Sequence, residues 1–410
     1  MSKLKSLRIC IPGEYRDLWL YKNRLYIWDR FGAMRFLGLD SAVKHLALNY
    51  GSAIASLAQT LIFRNDWKAG EQLRTMLRVQ EIEEAFLQPF TTHDTIVIEL
   101  PAYLFSASES EPYDGCVLDT HIYADRVYFG TPDGLLESYI NSKQPERPYG
   151  LEQQIDFRIS RIAVRYAAIN ASAEGNGLHF ARVRFTSPDD PIPGFKRADW
   201  KQIADYSLAT SHASHNLLNY TDASIPSLFR AQVEEARTHE NARYEERQVV
   251  GYQDATDLSS LAYSAVTTAT KVAASSLASR TETTGEVQIL GNSSYHLLAT
   301  WNDRLRVIDI RAFKGKDIEV RPSRDYMKAS IDTASPDKIL ETYPIKGGFV
   351  VELFDSIRLI TREGSFHLAD GQVARIRTFT SSVRHKEAIA TVEENSASLI
   401  GFYIAEDVLF

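Results

Sequence analysis

A short two-strand pattern recurs along the chain and restricts its fold more than any other feature. Each copy places apolar residues in alternation with polar ones on both sides of a tight polar pair. Four copies occupy residues 19–27, 121–129, 298–307 and 351–359. Alternation around a short polar turn is typical of a β-hairpin. Because the hairpin returns every few dozen residues, the sequence predicts an array of small sheets.

The polar turn residues are separated by a nearly constant interval. Asn176 lies 51 residues after Asp125, and Asp355 lies 52 residues after Asp303. An interval of about 50 residues suits one four-stranded sheet together with its loops. The spacing therefore indicates that the chain is built from repeated sheets of similar size.

One interval is too long for a single sheet, and its excess lies in residues 41–88. Apolar residues recur there three and four positions apart, as on one face of a helix. They are Val43, Leu46, Ala47, Tyr50, Ile54, Leu57, Ala58, Leu61 and Ile62 in a first run, and Leu73, Met76, Leu77, Ile82, Ala85 and Phe86 in a second. Pro89 ends the second run. We therefore predict a helical hairpin inserted at 41–88.

A second insertion is predicted over residues 231–285. Its first part is densely charged, with Glu and Arg three and four residues apart as on a solvated helix. From Asp257 to Gly285 the chain is rich in Ser, Thr and Ala, which is typical of a flexible segment. The expectation is a charged helix followed by a flexible stretch.

Both ends of the sequence carry strand-like alternation. Residues Leu7 to Ile11 and Leu399 to Ile404 are the two candidates. In cyclic arrays of sheets, strands from the two chain ends often complete one sheet and remove an open edge. We expect these two segments to pair. Asp370–Gly371, flanked by apolar runs, predicts a further hairpin turn.

The stretch from Asp125 to Leu136 resembles one blade unit of a β-propeller of the quinoprotein-like or WD-like kind. In such units a strand passes through an Asp-Gly turn, here Asp133–Gly134, into the next strand. Residues 23–32 resemble the same unit. The resemblance implies an all-β dominated chain, a single β-propeller over residues 1–410 with six or seven blades and the two insertions. It identifies no particular family, because Trp28–Asp29 is the single Trp-Asp dipeptide.

Composition limits the classes of partner and location. The net charge is −7 and the isoelectric point about 5.9, which argues against a broad nucleic-acid-binding surface. Two cysteines, Cys10 and Cys116, are too few for a disulfide framework and favour a reduced, cytoplasmic location. No stretch approaches the ~18 apolar residues that span a bilayer, so we expect no membrane association.

Catalytic and metal-binding motifs are sparse in this sequence. It has no Gly-x-Ser-x-Gly elbow and no phosphate-binding loop. Trp301–Asn302–Asp303 is similar to an acid-bearing glycosidase motif, but nothing identifies the second carboxylate that such chemistry requires. Asp119 and His121 share a strand face, and His212 and His215 lie three apart, yet a metal needs three or four ligands. We therefore predict no catalytic residue, no metal and no cofactor.

The bend of the helical insertion is the candidate partner-binding site. An aromatic side chain beside arginine is a frequent anchor in protein interfaces. The predicted residues are Phe63, Arg64, Trp67, Arg74 and Arg78.

The leading interpretation is a non-catalytic β-propeller that acts as a protein-interaction subunit, which binds, regulates or is targeted by a partner enzyme. Two alternatives stay open. One is a propeller-type hydrolase or lyase with its active site in the funnel. The other is a nucleic-acid-binding module that uses a local patch of Arg158, Arg161, Arg165, Arg182 and Arg184.

Overall fold

A computed structural model describes most of the chain. The described residues are 3–63, 75–107, 113–140, 150–183, 199–223, 225–235, 247–265, 287–293, 295–301, 304–312, 318–323, 339–380, 382 and 384–405. Within them the chain forms seven sheets, six of four strands and one of five. These sheets are the blades of a seven-bladed β-propeller. The prediction of an all-β dominated propeller is confirmed, with seven as the number of blades, whereas the predicted helical insertions are confirmed only in part.

The strands succeed one another along the whole chain. In order they are β1 (Lys3–Pro12), β2 (Tyr15–Tyr21), β3 (Arg24–Asp29), β4 (Met34–Gly38), β5 (Thr95–Glu99), β6 (Ser106–Ala107), β7 (Asp119–Tyr123), β8 (Arg126–Thr131), β9 (Gly134–Tyr139), β10 (Glu152–Ile155), β11 (Arg161–Arg165), β12 (Ala168–Ser172), β13 (Leu178–Arg182), β14 (Lys201–Ala204), β15 (Ala209–Ala213), β16 (Asn216–Tyr220), β17 (Ser227–Glu235), β18 (Arg247–Asp257), β19 (Gln288–Asn292), β20 (His296–Trp301), β21 (Arg304–Ala312), β22 (Ile318–Pro322), β23 (Ile339–Ile345), β24 (Gly348–Leu353), β25 (Ser356–Thr361), β26 (Gly364–Asp370), β27 (Arg375–Thr378), β28 (Ile389–Val392) and β29 (Ser396–Ala405).

The chain divides into two compact units. The first consists of Met1–Asp114, Lys143–Pro148 and Tyr343–Phe410, and the second of Gly115–Ser142 and Tyr149–Thr342. The first unit contains the sheets β2-β3-β4-β6 and β27-β28-β29-β1-β5 and most of β23-β24-β25-β26. The second contains the sheets β7 to β10, β11 to β14, β15 to β18 and β19 to β22.

Strands from near the two ends of the sequence share one sheet, as predicted. β1 and β29 form an antiparallel ladder that runs from Lys3 opposite Ala405 to Pro12 opposite Ser396. β5 then adds to the other edge of β1 in parallel, with Ser6 opposite Thr95. This fifth strand was not predicted from the sequence.

Helices follow β4 where the sequence predicted them. α1 (Leu39–Tyr50) and α2 (Ser52–Ala58) lead into a π-helical turn (Gln59–Phe63), and α3 (Gln80–Leu87) follows later; two 3₁₀ turns are Gln88–Phe90 and Ala102–Leu104. Leu46, Leu57 and Ile62 on the predicted apolar face are buried. Residues 64–74, which include the predicted bend, lie outside the described residues, so the hairpin arrangement stays a prediction. Among the described helices, none is both long and apolar enough to cross a membrane.

The predicted charged helix at the start of 231–285 is wrong for the residues that the structure describes. Residues 231–235 belong to β17, which pairs antiparallel with β18. Val249 of β18 is fully buried and packs with Phe180, and this burial outweighs the helical charge pattern. Residues 236–246 and 266–286, the latter including most of the predicted flexible stretch, lie outside the described part, while 259–265 are helical.

Of two turns predicted from the sequence, the one at Asp125 forms and the hairpin at Asp370–Gly371 does not. Ala124 and Asp125, with φ of 50° and 61°, form the tight turn between β7 and β8. Asp370–Gly371 does not form a hairpin, because β26 and the next strand, β27, belong to different sheets. Gly371, at φ 89°, donates its N–H to the Asp355 carbonyl oxygen at 2.7 Å. Gly371, in the left-handed conformation, therefore lies in the segment that links the sheet of β26 to the sheet of β27.

Candidate functional site

Only part of the predicted partner-binding site lies in the described residues. Phe63 ends the π-helical turn with 0% of its surface exposed, so it packs inside the first unit. Arg64, Trp67 and Arg74 lie outside the described residues. Arg78 is exposed in the turn before α3. The role of these residues in partner binding stays a prediction.

Arg78 stands between two exposed apolar side chains. Met76 and Val79 are both about half exposed, whereas Leu77 between them is buried. The backbone is held by Val79 N–H, which donates to the Met76 carbonyl oxygen at 2.9 Å. Leu77 therefore anchors the turn while Met76, Arg78 and Val79 project outward; we call these three residues the 76–79 turn.

The outer edge of β5 is also exposed. Val97 has 60% of its surface accessible, while the next residue, Ile98, is buried. Tyr50, at the end of α1, reaches this strand: its hydroxyl donates to the Glu99 carbonyl oxygen at 3.1 Å and accepts from the Glu99 N–H at 3.2 Å. The exposed residues of β5 are Thr95, Val97 and Glu99, and we call these three residues the β5 edge.

Exposed apolar side chains are concentrated in this part of the molecule. Of the fourteen large apolar side chains exposed among the described residues, six lie between Leu39 and Leu104. They are Leu48, Tyr50, Met76, Val79, Val97 and Tyr103. Exposed apolar residues scattered singly are ordinary, so it is their frequency in this one segment of the sequence that makes the segment a candidate for partner binding.

A buried polar network occupies the second unit. Asn170 on β12 is fully buried, and its Nδ2 donates to the Tyr252 hydroxyl at 3.2 Å and lies 3.4 Å from His212 Nε2. Burial, with the nearby Arg165 charge, lowers the pKa of His212 to about 3. Burial raises the pKa of Tyr252. At neutral pH the imidazole and the phenol are therefore both uncharged.

Asn292 continues this network on β19. Its Oδ1 accepts hydrogen bonds from Ser211 Oγ and from the Tyr220 hydroxyl, the latter at 2.9 Å. Its Nδ2 donates to the His212 carbonyl oxygen at 3.0 Å. Two asparagines thus connect strands of three neighbouring sheets, so the arrangement holds sheets together and supplies no nucleophile with a general base.

The two histidines singled out in the sequence, His212 and His215, contact one aromatic ring. His215 stacks on Tyr166 with ring centroids 4.1 Å apart, and His212 meets the same ring edge-on at 6.5 Å. The Arg165 guanidinium lies 4.7 Å from the centre of that ring. The Tyr166 ring thus contacts two imidazole rings and one guanidinium, and the cation–π contact with Arg165 stabilises the turn at Tyr166.

The Asp119 carboxylate is bonded to the backbone of the protein. It is buried, and its Oδ2 accepts the Ile162 N–H at 2.8 Å while its Oδ1 accepts the Thr120 N–H at 2.9 Å. Across the described ranges, no group of three or more His, Cys, Asp and Glu side chains is arranged to hold a metal ion. Trp301 is buried at the end of β20, and Asn302 and Asp303 are outside those ranges.

The arginines of the nucleic-acid alternative have protein partners. Arg158 Nε donates to Glu174 at 2.9 Å, and Arg161 pairs with Glu341. Arg182 donates to Gln248 at 3.4 Å, and Arg184 is not among the described residues. Since carboxylates neutralise two members of this patch, its attraction for phosphates is reduced.

No protein-family model matches the sequence, and no curated protein matches it. Among solved structures, the Neurospora crassa Pan2 WD40 domain has a TM-score of 0.45 at 9% identity and covers 97% of this chain and 95% of its own. A chain of the Mitotic Checkpoint Complex has 0.45 at 8%, covering 98% and 94%. The N-terminal domain of Nup159 has 0.43 at 12%, covering 96% and 91%.

Proposed function

We propose that this chain is a non-catalytic β-propeller that serves as a protein-interaction subunit. Its partner is an enzyme that the chain binds or regulates, or an enzyme that targets the chain. The observation that supports this proposal is the concentration of six exposed apolar side chains between Leu39 and Leu104. This segment exposes large apolar side chains to a partner more often than the rest of the described chain does.

The physical argument concerns what these side chains gain from a partner. Removing apolar surface from water contributes about 25 cal/mol for each Å², from which the entropic costs of association are subtracted. Aromatic residues, Met and Arg are enriched at the centre of protein interfaces. The 76–79 turn combines Met76, Arg78 and Val79 on a backbone that Leu77 anchors. Little conformational freedom is therefore lost when a partner covers this turn.

The polar clusters of the described residues support the same function. Asn170 contacts both His212 and Tyr252 inside the second unit. Asp119 accepts two backbone N–H groups. Groups engaged in this way hold the fold, whereas a hydrolase needs a nucleophile or a pair of acids directed at substrate.

The test compares affinity purifications of the tagged chain from its native cells. The test variant combines Met76→Ser, Arg78→Glu and Val79→Ser, and the control combines Leu340→Ser and Phe354→Ser at exposed apolar positions elsewhere. We expect an enzyme to co-purify in stoichiometric amount with the wild type and the control but not with the test variant.

The pure chain is assayed in parallel against panels of ester, peptide, glycoside and lyase substrates. We expect no turnover. Sustained turnover by the pure chain, or equal recovery of partners by the test variant and the wild type, contradicts the proposal.

A further inference from the structure

The backbone of β5 has one side bonded and one side open. Ser6 N–H donates to the Asp94 carbonyl oxygen at 2.9 Å, and Leu100 N–H donates to the Cys10 carbonyl oxygen at 2.8 Å. In a parallel ladder, alternate residues bond to the neighbouring strand. With the register of Ser6 opposite Thr95, Ile96 and Ile98 bond to β1. The residues of the β5 edge therefore direct their N–H and C=O groups away from the sheet.

At Glu99, the Tyr50 side chain bonds to the backbone groups that a partner strand would otherwise use. The Tyr50 hydroxyl both donates to and accepts from the backbone of Glu99. No strand of the described ranges pairs with the outer side of β5, and Val97 is 60% exposed there. The edge thus accommodates hydrogen-bonding groups at Glu99 and leaves Val97 accessible.

The sequence of β5 has no lysine, proline or bulge, which protect many edge strands, and its single charged residue, Glu99, stands at its end. Natural edges carry lysine, proline, a bulge or an inward charge that prevents pairing. β5 reads Thr-Ile-Val-Ile-Glu, with a regular register along all five residues. Such a segment has a high preference for forming a ladder with another strand.

We propose that the β5 edge binds an extended segment of the partner protein, which adds to this sheet as a sixth strand. The inference rests on the proposed function, because it assumes that a protein partner exists. Addition of a strand supplies main-chain hydrogen bonds for affinity and side-chain contacts for specificity. The exposed Val97 side chain contacts an apolar, β-branched residue of the added strand.

Charge defines the ends of the segment that fits. Asp94 lies just before β5 with its side chain 63% exposed although Lys5 contacts it, and the exposed Glu99 ends the strand. Acidic groups at both ends favour a segment with an apolar centre and lysine or arginine on either side. The partner segment is therefore a short basic-apolar-basic stretch.

The test uses the full chain and a fluorescein-labelled peptide, Lys-Lys-Val-Thr-Val-Lys-Lys, with binding followed by fluorescence anisotropy. Val97→Pro removes the outward N–H at position 97, while the bonds of Ile96 and Ile98 to β1 remain. Val97→Thr is the matched control, because it keeps the N–H and the β-branched shape. The second probe is the same peptide with alternate amides N-methylated, which blocks ladder formation.

The expected pattern is saturable binding to wild type and to Val97→Thr within about twofold, and binding at least about tenfold weaker to Val97→Pro. The methylated peptide does not saturate. Failure of the wild type to bind the first peptide overturns the proposal. Equal binding by Val97→Pro, or by the methylated peptide, does so as well.

A second variant guards against loss of fold. Tyr50→Phe removes the hydroxyl that occupies the Glu99 backbone, so we expect it to bind the peptide more tightly than the wild type, which a damaged protein does not do. Hydrogen exchange at Ile96 and Ile98 in Val97→Pro checks that the ladder to β1 survives. Unchanged or weaker binding by a folded Tyr50→Phe contradicts the proposed edge.

Two further results separate this inference from other outcomes. If the enzyme partner co-purifies equally with Val97→Pro, the strand addition is overturned while the proposed function stands. If sedimentation shows a wild-type dimer that Val97→Pro converts to a monomer, the occupant is a second copy of this chain. That result overturns the assignment of the edge to a partner segment.

Discussion

Arg377 and Asp17 form a two-point ion pair inside the first unit. Arg377 Nε donates to Asp17 Oδ1 at 3.1 Å, and Arg377 Nη2 donates to Asp17 Oδ2 at 2.8 Å. Both side chains are buried, and the guanidinium also lies 5.3 Å from the centre of the Trp19 ring. The pair joins β2 to β27, the first strands of two different sheets.

We expect Asp17→Leu to destabilise the protein strongly, because it leaves the Arg377 charge buried without its main partner. Loss of one member of a buried pair costs about 3–5 kcal/mol, whereas replacing both by apolar residues is often neutral. The double variant Asp17→Leu with Arg377→Met should therefore recover much of the lost free energy of unfolding, measured by urea titration.

The control for this prediction is an exposed pair in the same unit. Arg30 and Glu14 are in contact with more than half of each side chain exposed. Arg30→Ala should change the free energy of unfolding by less than about 1 kcal/mol. A single Asp17→Leu variant as stable as Arg30→Ala would show that the buried pair contributes little.

His385 connects the helical segment to a sheet of the first unit. It is fully buried, with Nδ1 3.2 Å from the Ile62 carbonyl oxygen and Nε2 3.1 Å from the Lys22 carbonyl oxygen. His385→Phe keeps a ring of similar size beside Phe379 but offers neither carbonyl a donor. We expect a loss of about 1–3 kcal/mol, the cost of a buried unsatisfied polar group.

The measurement combines urea unfolding with amide hydrogen exchange over α2. Because the contact to Ile62 ends, exchange should speed up in Ser52–Ala58 more than in β24. His367→Phe, an exposed histidine on β26, is the control and should leave both measurements unchanged. Equal behaviour of the two variants would refute the proposed connection.

His212 should make stability depend on acid pH. Its pKa of about 3 in the folded chain lies below the usual 6.5, mainly because burial disfavours the charged form. The unfolded chain therefore binds a proton that the folded chain does not, and stability falls as the pH falls from about 6.5 towards 3. The expected slope is up to about 1.4 kcal/mol for each pH unit.

The measurement is the free energy of unfolding at pH 7, 5.5 and 4.5 for the wild type and His212→Gln. The variant removes the titrating group, so its stability should fall less across this range than that of the wild type. His93→Gln, at an exposed position, serves as the control and should follow the wild type. Parallel curves for all three proteins would contradict the prediction.

These residues show what the sequence allowed to be predicted. The pairing of β1 with β29 follows from alternation that is visible at both ends, whereas the register, with Gly401 opposite Leu7, was not predicted. Asn170 was missed because its contacts, His212 and Tyr252, are 42 and 82 residues away along the chain. Within β12, which reads Ala-Ile-Asn-Ala-Ser, the asparagine lies between apolar Ile169 and Ala171, which was the available signal.

β5 and β18 illustrate two other limits. The run Thr95–Glu99 has strong strand preference, but its addition to β1 in parallel depends on contact with a distant strand. Charges three and four apart predicted a helix from residue 231, yet residues 231–235 end β17, which pairs with β18 and its buried Val249. Of the predicted partner site, the structure exposes Arg78 and buries Phe63, since apolar character alone does not distinguish a core side chain from an anchor.

Gly401 on β29 lies where the helical segment packs on the sheet. A Cβ placed on it would come within 2.6 Å of Ile62 Cγ1 and 2.7 Å of Leu61 Cβ, closer than side chains tolerate. Gly401→Ala should therefore displace the π-helical turn and lower the free energy of unfolding by about 1–3 kcal/mol. Gly150→Ala is the matched control, because its Cβ meets nothing within 4 Å. A thermal-unfolding midpoint unchanged in both variants would mean that the turn does not pack on β29 as described.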